Sequence, residues 1–118
     1  MKDPRSILIT GASSGIGAAL ARAYAGPGVA LALTGRHGDR LEAIAEHCAK
    51  QGASVTTGLL DVTERAALAD WIAGVDAAQP LDLVIANAGI SGGTDKAGGG
   101  EGADQVRRIF AVNLDGVV

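Results

Sequence analysis

The segment Thr10-Gly11-Ala12-Ser13-Ser14-Gly15-Ile16-Gly17 sets glycines and hydroxyls between an apolar run and a helix-like pattern. Such a turn suits an anion, because backbone N–H groups must approach a phosphate closely and a side chain would block them. Gly11 predicts a tight turn, Gly15 a backbone approach to a pyrophosphate, and Gly17 a close contact between helix and strand. The helix N-terminus adds partial positive charge, and Ser13 and Ser14 add hydroxyl donors. A packing turn without a ligand is the bland alternative. Its position at the first βα turn favours the phosphate reading. The spacing Gly11-x-x-x-Gly15-x-Gly17, with no lysine after it, excludes a P-loop.

Other polar residues interrupt apolar surroundings. Arg36 follows the run Val29–Gly35, Asp61 closes Ser54–Asp61, and Asn87 closes Leu81–Asn87. Asn113 shares a helical face with Val106, Ile109, Phe110, Leu114 and Val117. A buried amide costs a few kcal/mol unless it is bonded, so Asn113 and Asn87 should have dedicated partners. A core asparagine bonded to nearby backbone remains the alternative for Asn113, and an acid at Asp61 can equally start a turn. His37 and His47 have no second ligand at metal-binding spacing, so no metal site is predicted. Cys48 falls on an apolar stripe and reads as an inert buried thiol.

The elements that must position these residues alternate between strand and helix. Ser6–Thr10, Val29–Gly35, Ser54–Asp61 and Leu81–Asn87 read as similar apolar runs, the pattern of strands buried on both faces of a parallel sheet. Ile16, Leu20 and Tyr24 mark a first helix, ended by Gly26-Pro27-Gly28. Leu41, Ile44, Ala45 and Cys48 mark a second, with Asp39 and Glu42 spaced as a capping box. Leu68, Trp71, Ile72 and Val75 mark a third, with Thr63 as its predicted N-cap. Glycines make Ser91–Gly100 a loop, and a helix is expected over Val106–Val117. This rhythm predicts an α/β fold with right-handed crossovers and helices on both faces.

Composition narrows the function. The 118 residues carry 10 Lys+Arg against 13 Asp+Glu, a net charge of -3, which argues against nucleic acid or an anionic membrane surface. The single cysteine excludes an internal disulfide, and no apolar run is long enough to span a membrane. No signal peptide is visible, so a cytoplasmic location is expected.

Thr10-Gly11-x-x-x-Gly15-x-Gly17, Asp61-Val62, Asn87-Ala88-Gly89 and Asn113 occur in the order found in the classical short-chain dehydrogenase/reductase family, which the whole chain resembles. The resemblance implies a three-layer α/β/α Rossmann fold with a partly formed doubly wound sheet, strand order 3-2-1-4. It implies a phosphate cradle of Gly11, Ser13, Ser14, Gly15, Ile16 and Gly17, and adenine contact by Asp61 and Val62. Asn87, Ala88 and Gly89 would wall the cofactor site, and Asn113 would serve the catalytic proton relay. The activity implied is hydride transfer between a nicotinamide dinucleotide and an alcohol or carbonyl, in a homo-oligomer.

NAD selectivity usually rests on an acid at the tip of the second strand, bonding the ribose 2′-OH. Here the tip reads Thr34-Gly35-Arg36-His37, so Arg36 can instead pair with a 2′-phosphate, and NADP(H) is expected over NAD(H). Asp39 could turn toward a ribose, but capping is its better role. At Ser14 the chain departs from many NADP-preferring relatives, which carry a basic residue nearby.

The family's Tyr-x-x-x-Lys is missing: four residues after Tyr24, the single tyrosine, stands Gly28. No serine follows Ser91, so Asn113 is the one tetrad position present. Residues 1–118 therefore read as one incomplete dinucleotide-binding domain, the N-terminal portion of a longer enzyme, inactive alone and with Leu83–Ala86 as an uncovered sheet edge. A non-catalytic dinucleotide-binding module and an inactive gene fragment are the alternatives.

Overall fold

Consecutive apolar residues, facing alternately to either side of the sheet, send the first strand's side chains to two cores. β1 (Ser6–Ile9) is buried along its whole length, with Ile7 and Ile9 in one core and Leu8 in the other. β2 (Ala30–Gly35) repeats this, Leu31 and Leu33 joining the first core and Ala32 the second. This is the two-sided burial expected of central strands in a parallel sheet. The computed structural model describes residues 4–13, 15–61, 63–91 and 105–113.

The remaining elements are α1 (Gly15–Tyr24), α2 (Gly38–Lys50), β3 (Ser54–Leu59), α3 (Arg65–Ala78), β4 (Leu83–Ser91) and β5 (Gln105–Asn113). The sheet order is β3-β2-β1-β4-β5, with parallel pairing from β3 through β4. The expected order 3-2-1-4 is present, and so are helices on both faces. Ala21 of α1 and Leu41 and Cys48 of α2 pack in the first core, whereas Trp71, Ile72 and Val75 of α3 cover the second. The three-layer Rossmann architecture is therefore the observed one.

α2 buries the stripe its sequence predicts. Cys48 is fully buried; burial pushes its thiol pKa up, opposed by the nearby Arg22 charge. A raised pKa means less thiolate, and the thiolate is the nucleophile. Native protein should therefore resist a thiol reagent at pH 8, with labelling that speeds up on adding denaturant. Fast native labelling would contradict the burial.

Several local expectations are corrected. Ile16 is 42% exposed; of the expected α1 residues Leu20 and Tyr24 pack against the first core, beside buried Gly17, Ala18 and Ala21. The small face lets the helix approach the sheet closely. β3 is an edge strand with no fully buried residue, so the reading of two-sided burial fails there. The N-cap of α2 is His37 with no side-chain cap bond, which leaves Asp39 inside the first turn. Glu64, not Thr63, is the N-cap of α3. Before that cap, Glu64 Oε2 accepts from the Asp61 N–H at 2.9 Å, and Asp61 Oδ1 from the Thr63 N–H at 3.2 Å. These bonds close the turn just ahead of the α3 N-cap.

The largest correction concerns Val106–Val117. Its described part is not a helix but β5, paired antiparallel with β4 from Leu83↔Asn113 to Ser91↔Gln105. Leu83–Ala86 is thus a paired edge, and Asn113 sits at a strand end. An open strand edge carries a row of unmade hydrogen bonds, and pairing satisfies them. Val106, Ile109, Phe110 and Val112 are residue types suited to strands, so local preference does not oppose that pairing. β4 also runs past Asn87 to Ser91, placing Ala88 and Gly89 inside the strand. Residues 92–104 and 114–118, with the rest of the expected loop and helix, lie outside the described residues.

Candidate functional site

The chain leaves β1, builds outward through β2 and β3, then returns to β4 on the other side of β1. Such a reversal opens a crevice at the carboxyl ends of the central strands, where open α/β sheets bind ligands. The glycine turn stands there. Gly11 (φ 66°) and Gly15 (φ 48°) adopt left-handed backbone, which costs side-chain-bearing residues energy. Between them the Ala12 N–H donates to the Thr34 carbonyl at 2.8 Å, tying the turn to β2.

Gly17 explains the tightness of the site. A Cβ there would overlap the Gly11 carbonyl oxygen and lie 2.7 Å from Asn87 Nδ2. A Cβ on Gly11 would overlap the Asn87 carbonyl oxygen. Ser13 is buried against Gly35, where a Cβ would come 2.5 Å from Ser13 Oγ. Helix, turn and two strands meet with backbone where side chains would otherwise stand.

Asn87 is the tie between them. Its N–H donates to Thr10 Oγ1 at 2.9 Å, and its Nδ2 donates to the Gly11 carbonyl at 3.2 Å. The residue is 2% exposed, and its Oδ1 has no hydrogen-bond partner among the described residues. A buried acceptor without a donor invites one from a ligand or an ordered water. Thr10 joins the site through its bond with Asn87, and its position next to Gly11 in the glycine motif is the sequence signal for it. α1 carries no acidic residue in its first turn, so its partial positive charge is uncompensated locally. Ile16, exposed at that same turn, offers an apolar surface to whatever binds there.

Arg36 and Asp61 leave the tips of β2 and β3 side by side. The Leu60 N–H donates to the Gly35 carbonyl at 3.0 Å, extending the ladder to these positions. Arg36 Nη1 then lies 3.7 Å from Asp61 Oδ2. Glu64, which sequence reading overlooked, completes the turn below them, and the Asp61-x-x-Glu64 spacing was the signal for it.

The structure thus brings Gly11, Ser13, Gly15, Ile16 and Gly17 to one turn, with Asn87 behind it and Arg36 and Asp61 at the neighbouring tips. Ala88 and Gly89 follow Asn87 in β4, opposite Arg108 and Arg107 of β5. Asn113 pairs with Leu83 at the opposite end of β4 from Ser91 and is not gathered with the others. Ser14 and Val62 lie outside the described residues. Among the described residues no three His, Cys, Asp or Glu side chains gather, and no helix is long and apolar enough to cross a membrane.

The sequence pattern of the short chain dehydrogenase family matches residues 5–118. An uncharacterized oxidoreductase of Myxococcus xanthus is 42% identical over 92 residues, covering 77% of this chain and 36% of that protein. A metagenomic short-chain oxidoreductase solved in complex with NADP superimposes with a TM-score of 0.67 and 33% identity, covering 74% of this chain and 40% of its own. NAD+-bound xylitol dehydrogenase does so with a TM-score of 0.58 and 28% identity, covering 63% and 28%. The chain therefore spans well under half the length of these relatives. A family match over nearly every residue, on a sheet wound in this order with the glycine turn at its switch point, means that the chain belongs to the short-chain dehydrogenase family.

Proposed function

We propose that residues 1–118 form the cofactor-binding domain of an NAD(P)-dependent oxidoreductase that moves a hydride between a nicotinamide and an alcohol or carbonyl carbon. The glycine cradle carries the reading. Left-handed Gly11 and Gly15 turn the chain sharply into the N-terminus of α1 at the sheet's switch point, and Gly17 seats that helix against Gly11 and Asn87. The orphaned Asn87 Oδ1 behind it fits a bound hydroxyl or water. When bound, the dinucleotide supplies the hydride donor or acceptor. The protein's part is to hold it: Gly11–Gly17 at the pyrophosphate, Asp61 and Val62 at the adenine, Asn87, Ala88 and Gly89 along the wall.

In a complete enzyme Asn113 would serve proton relay through a kinked helix. In this chain, without Tyr-x-x-x-Lys and with Asn113 in β5, cofactor binding without turnover is the expected behaviour. The paired β4 edge favours a second reading, a dinucleotide-binding module that does no chemistry. Reduction of NADP+ by any of a panel of alcohols would reject that reading. A cytoplasmic setting and a homo-oligomeric parent belong to the enzyme proposal.

NADP(H) is proposed over NAD(H), because Arg36 at the β2 tip can take a 2′-phosphate and the tip carries no acid. Solved structures similar to this chain include one with NADP and one with NAD+, so the preference proposed here rests on Arg36 and not on the comparisons. Dissociation constants for NADPH and NADH, measured on this chain, test the proposal. Arg36→Ala should weaken NADPH about tenfold and NADH less than twofold, in keeping with a charge-assisted contact at an exposed site. Tighter NADH than NADPH binding by the unaltered chain would reject the preference, and binding of neither would reject the site.

A further inference from the structure

The Arg36 guanidinium that would meet a phosphate already faces a carboxylate. Parallel pairing of Gly35 with Leu59 brings residues 36 and 61 out of the sheet together. Asp61 is held on several sides. Its Oδ1 accepts from the Thr63 N–H at 3.2 Å, its N–H donates to Glu64 Oε2 at 2.9 Å, and its carbonyl accepts from the Glu64 N–H at 2.9 Å. The two backbone bonds fix the residue in the turn before α3, and the Thr63 N–H orients its carboxylate. Its remaining oxygen, Oδ2, is the one turned to Arg36 Nη1 at 3.7 Å.

The two partners differ in freedom. The Asp61 side chain is 30% exposed and anchored at its base, whereas that of Arg36 is 66% exposed, with this ion pair its salt bridge among the described residues. The anchored acid therefore sets where the arginine points. A phosphate on the ribose 2′ position must share Arg36 with Asp61 and lies within a few ångströms of a like charge. A bare 2′-hydroxyl meets neither penalty.

We propose that Asp61, held in place by Glu64, determines how strongly this site distinguishes phosphorylated from unphosphorylated dinucleotides, by compensating Arg36 and repelling the 2′-phosphate. The inference rests on the reading of Arg36 as the 2′-phosphate contact. Asp61 sets selectivity and Glu64 is a positioning residue acting through it. Contact of Asp61 with the adenine would be common to both dinucleotides and cancels in the ratio of their affinities. That ratio therefore isolates the effect of charge at the 2′ position.

The experiment measures NADPH and NADH dissociation constants for the unaltered chain and its variants at low and high salt. Asp61→Asn keeps an acceptor for the Thr63 N–H and should raise the NADPH-over-NADH ratio about fivefold at low salt, the scale of an exposed charge pair. The gain should shrink as added salt screens it. Asp61→Ser, also able to cap the turn, should move the ratio the same way and serves if the asparagine variant folds poorly. Glu64→Ala should shift the ratio in that direction by less, and Glu64→Gln, which retains an acceptor, should restore it. In an Arg36→Ala background the Asp61→Asn effect should fall by half or more. An unchanged or lowered ratio in both Asp61 variants, while Arg36→Ala still weakens NADPH selectively, overturns this inference alone. An Arg36→Ala variant that weakens both dinucleotides equally overturns the parent reading as well.

Discussion

Gly17→Val is expected to abolish dinucleotide binding and to lower the thermal midpoint by about 10 °C. Two effects of opposite sign compete. Replacing a glycine inside a helix recovers a few tenths of a kcal/mol of helix propensity. Against this, the new Cβ overlaps the Gly11 carbonyl oxygen and comes 2.7 Å from Asn87 Nδ2. Overpacking costs about 1–3 kcal/mol when side chains can move aside, and more when the obstacle is backbone. The Gly11 carbonyl cannot rotate away, because it accepts the Asn87 Nδ2 bond and belongs to a residue already in left-handed backbone. The steric term wins. α1 must then tilt off the turn, and the N–H groups that would face a pyrophosphate move with it. NADPH titration of the folded variant, with thermal melting alongside, reads both consequences; unchanged affinity would mean that the turn is not the phosphate site.

Asn87→Asp, nearly identical in volume, should cost about 2–4 kcal/mol at pH 7 and weaken cofactor binding at least tenfold. The amide donates from Nδ2 to the Gly11 carbonyl at 3.2 Å in a position only 2% exposed. An ionised carboxylate there has no proton to give, faces a carbonyl oxygen, and is removed from water. Burial raises the new carboxyl's folded pKa above its unfolded value of about 3.9. The folded variant then binds the proton more tightly than the unfolded chain. Its deficit against the unaltered chain should be small below pH 4, grow as pH rises through the raised pKa, and then level off. Denaturant titration of both proteins at pH 4 and pH 8 checks this, and an equal deficit at both would show that the amide proton is not what position 87 contributes.

How much of this was legible beforehand depended on the range of the interaction. The glycine turn was visible because left-handed backbone and close approach make demands on single residues, met locally by Gly11, Gly15 and Gly17. The α2 stripe was visible because Leu41, Ile44 and Cys48 repeat at helical spacing. Cap positions were misplaced within a few residues: Asp39 and Thr63 have the right chemistry, but the backbone at His37 and Glu64 decides where each helix starts. Residues 105–113 were misread for a deeper reason. Val106, Ile109, Phe110 and Asn113 fit a helical face, while Val106, Ile109, Phe110 and Val112 are also residues that favour strands. A short apolar run satisfies both patterns, and the open edge of β4 resolves it.

The amino-acid sequence by itself determined the α/β alternation and the glycine turn at the end of β1, while the order of the first four strands followed from the family resemblance. Periodicity and glycine placement are local and leave few alternatives. Tertiary structure alone decided that β5 closes the sheet edge, that Asn87 bonds the Gly11 carbonyl, and that Asp61 lies beside Arg36. Each of these joins residues far apart in the chain, through strand register and the close seating of α1. Those depend on how whole elements pack, and so they could not be read from neighbouring residues.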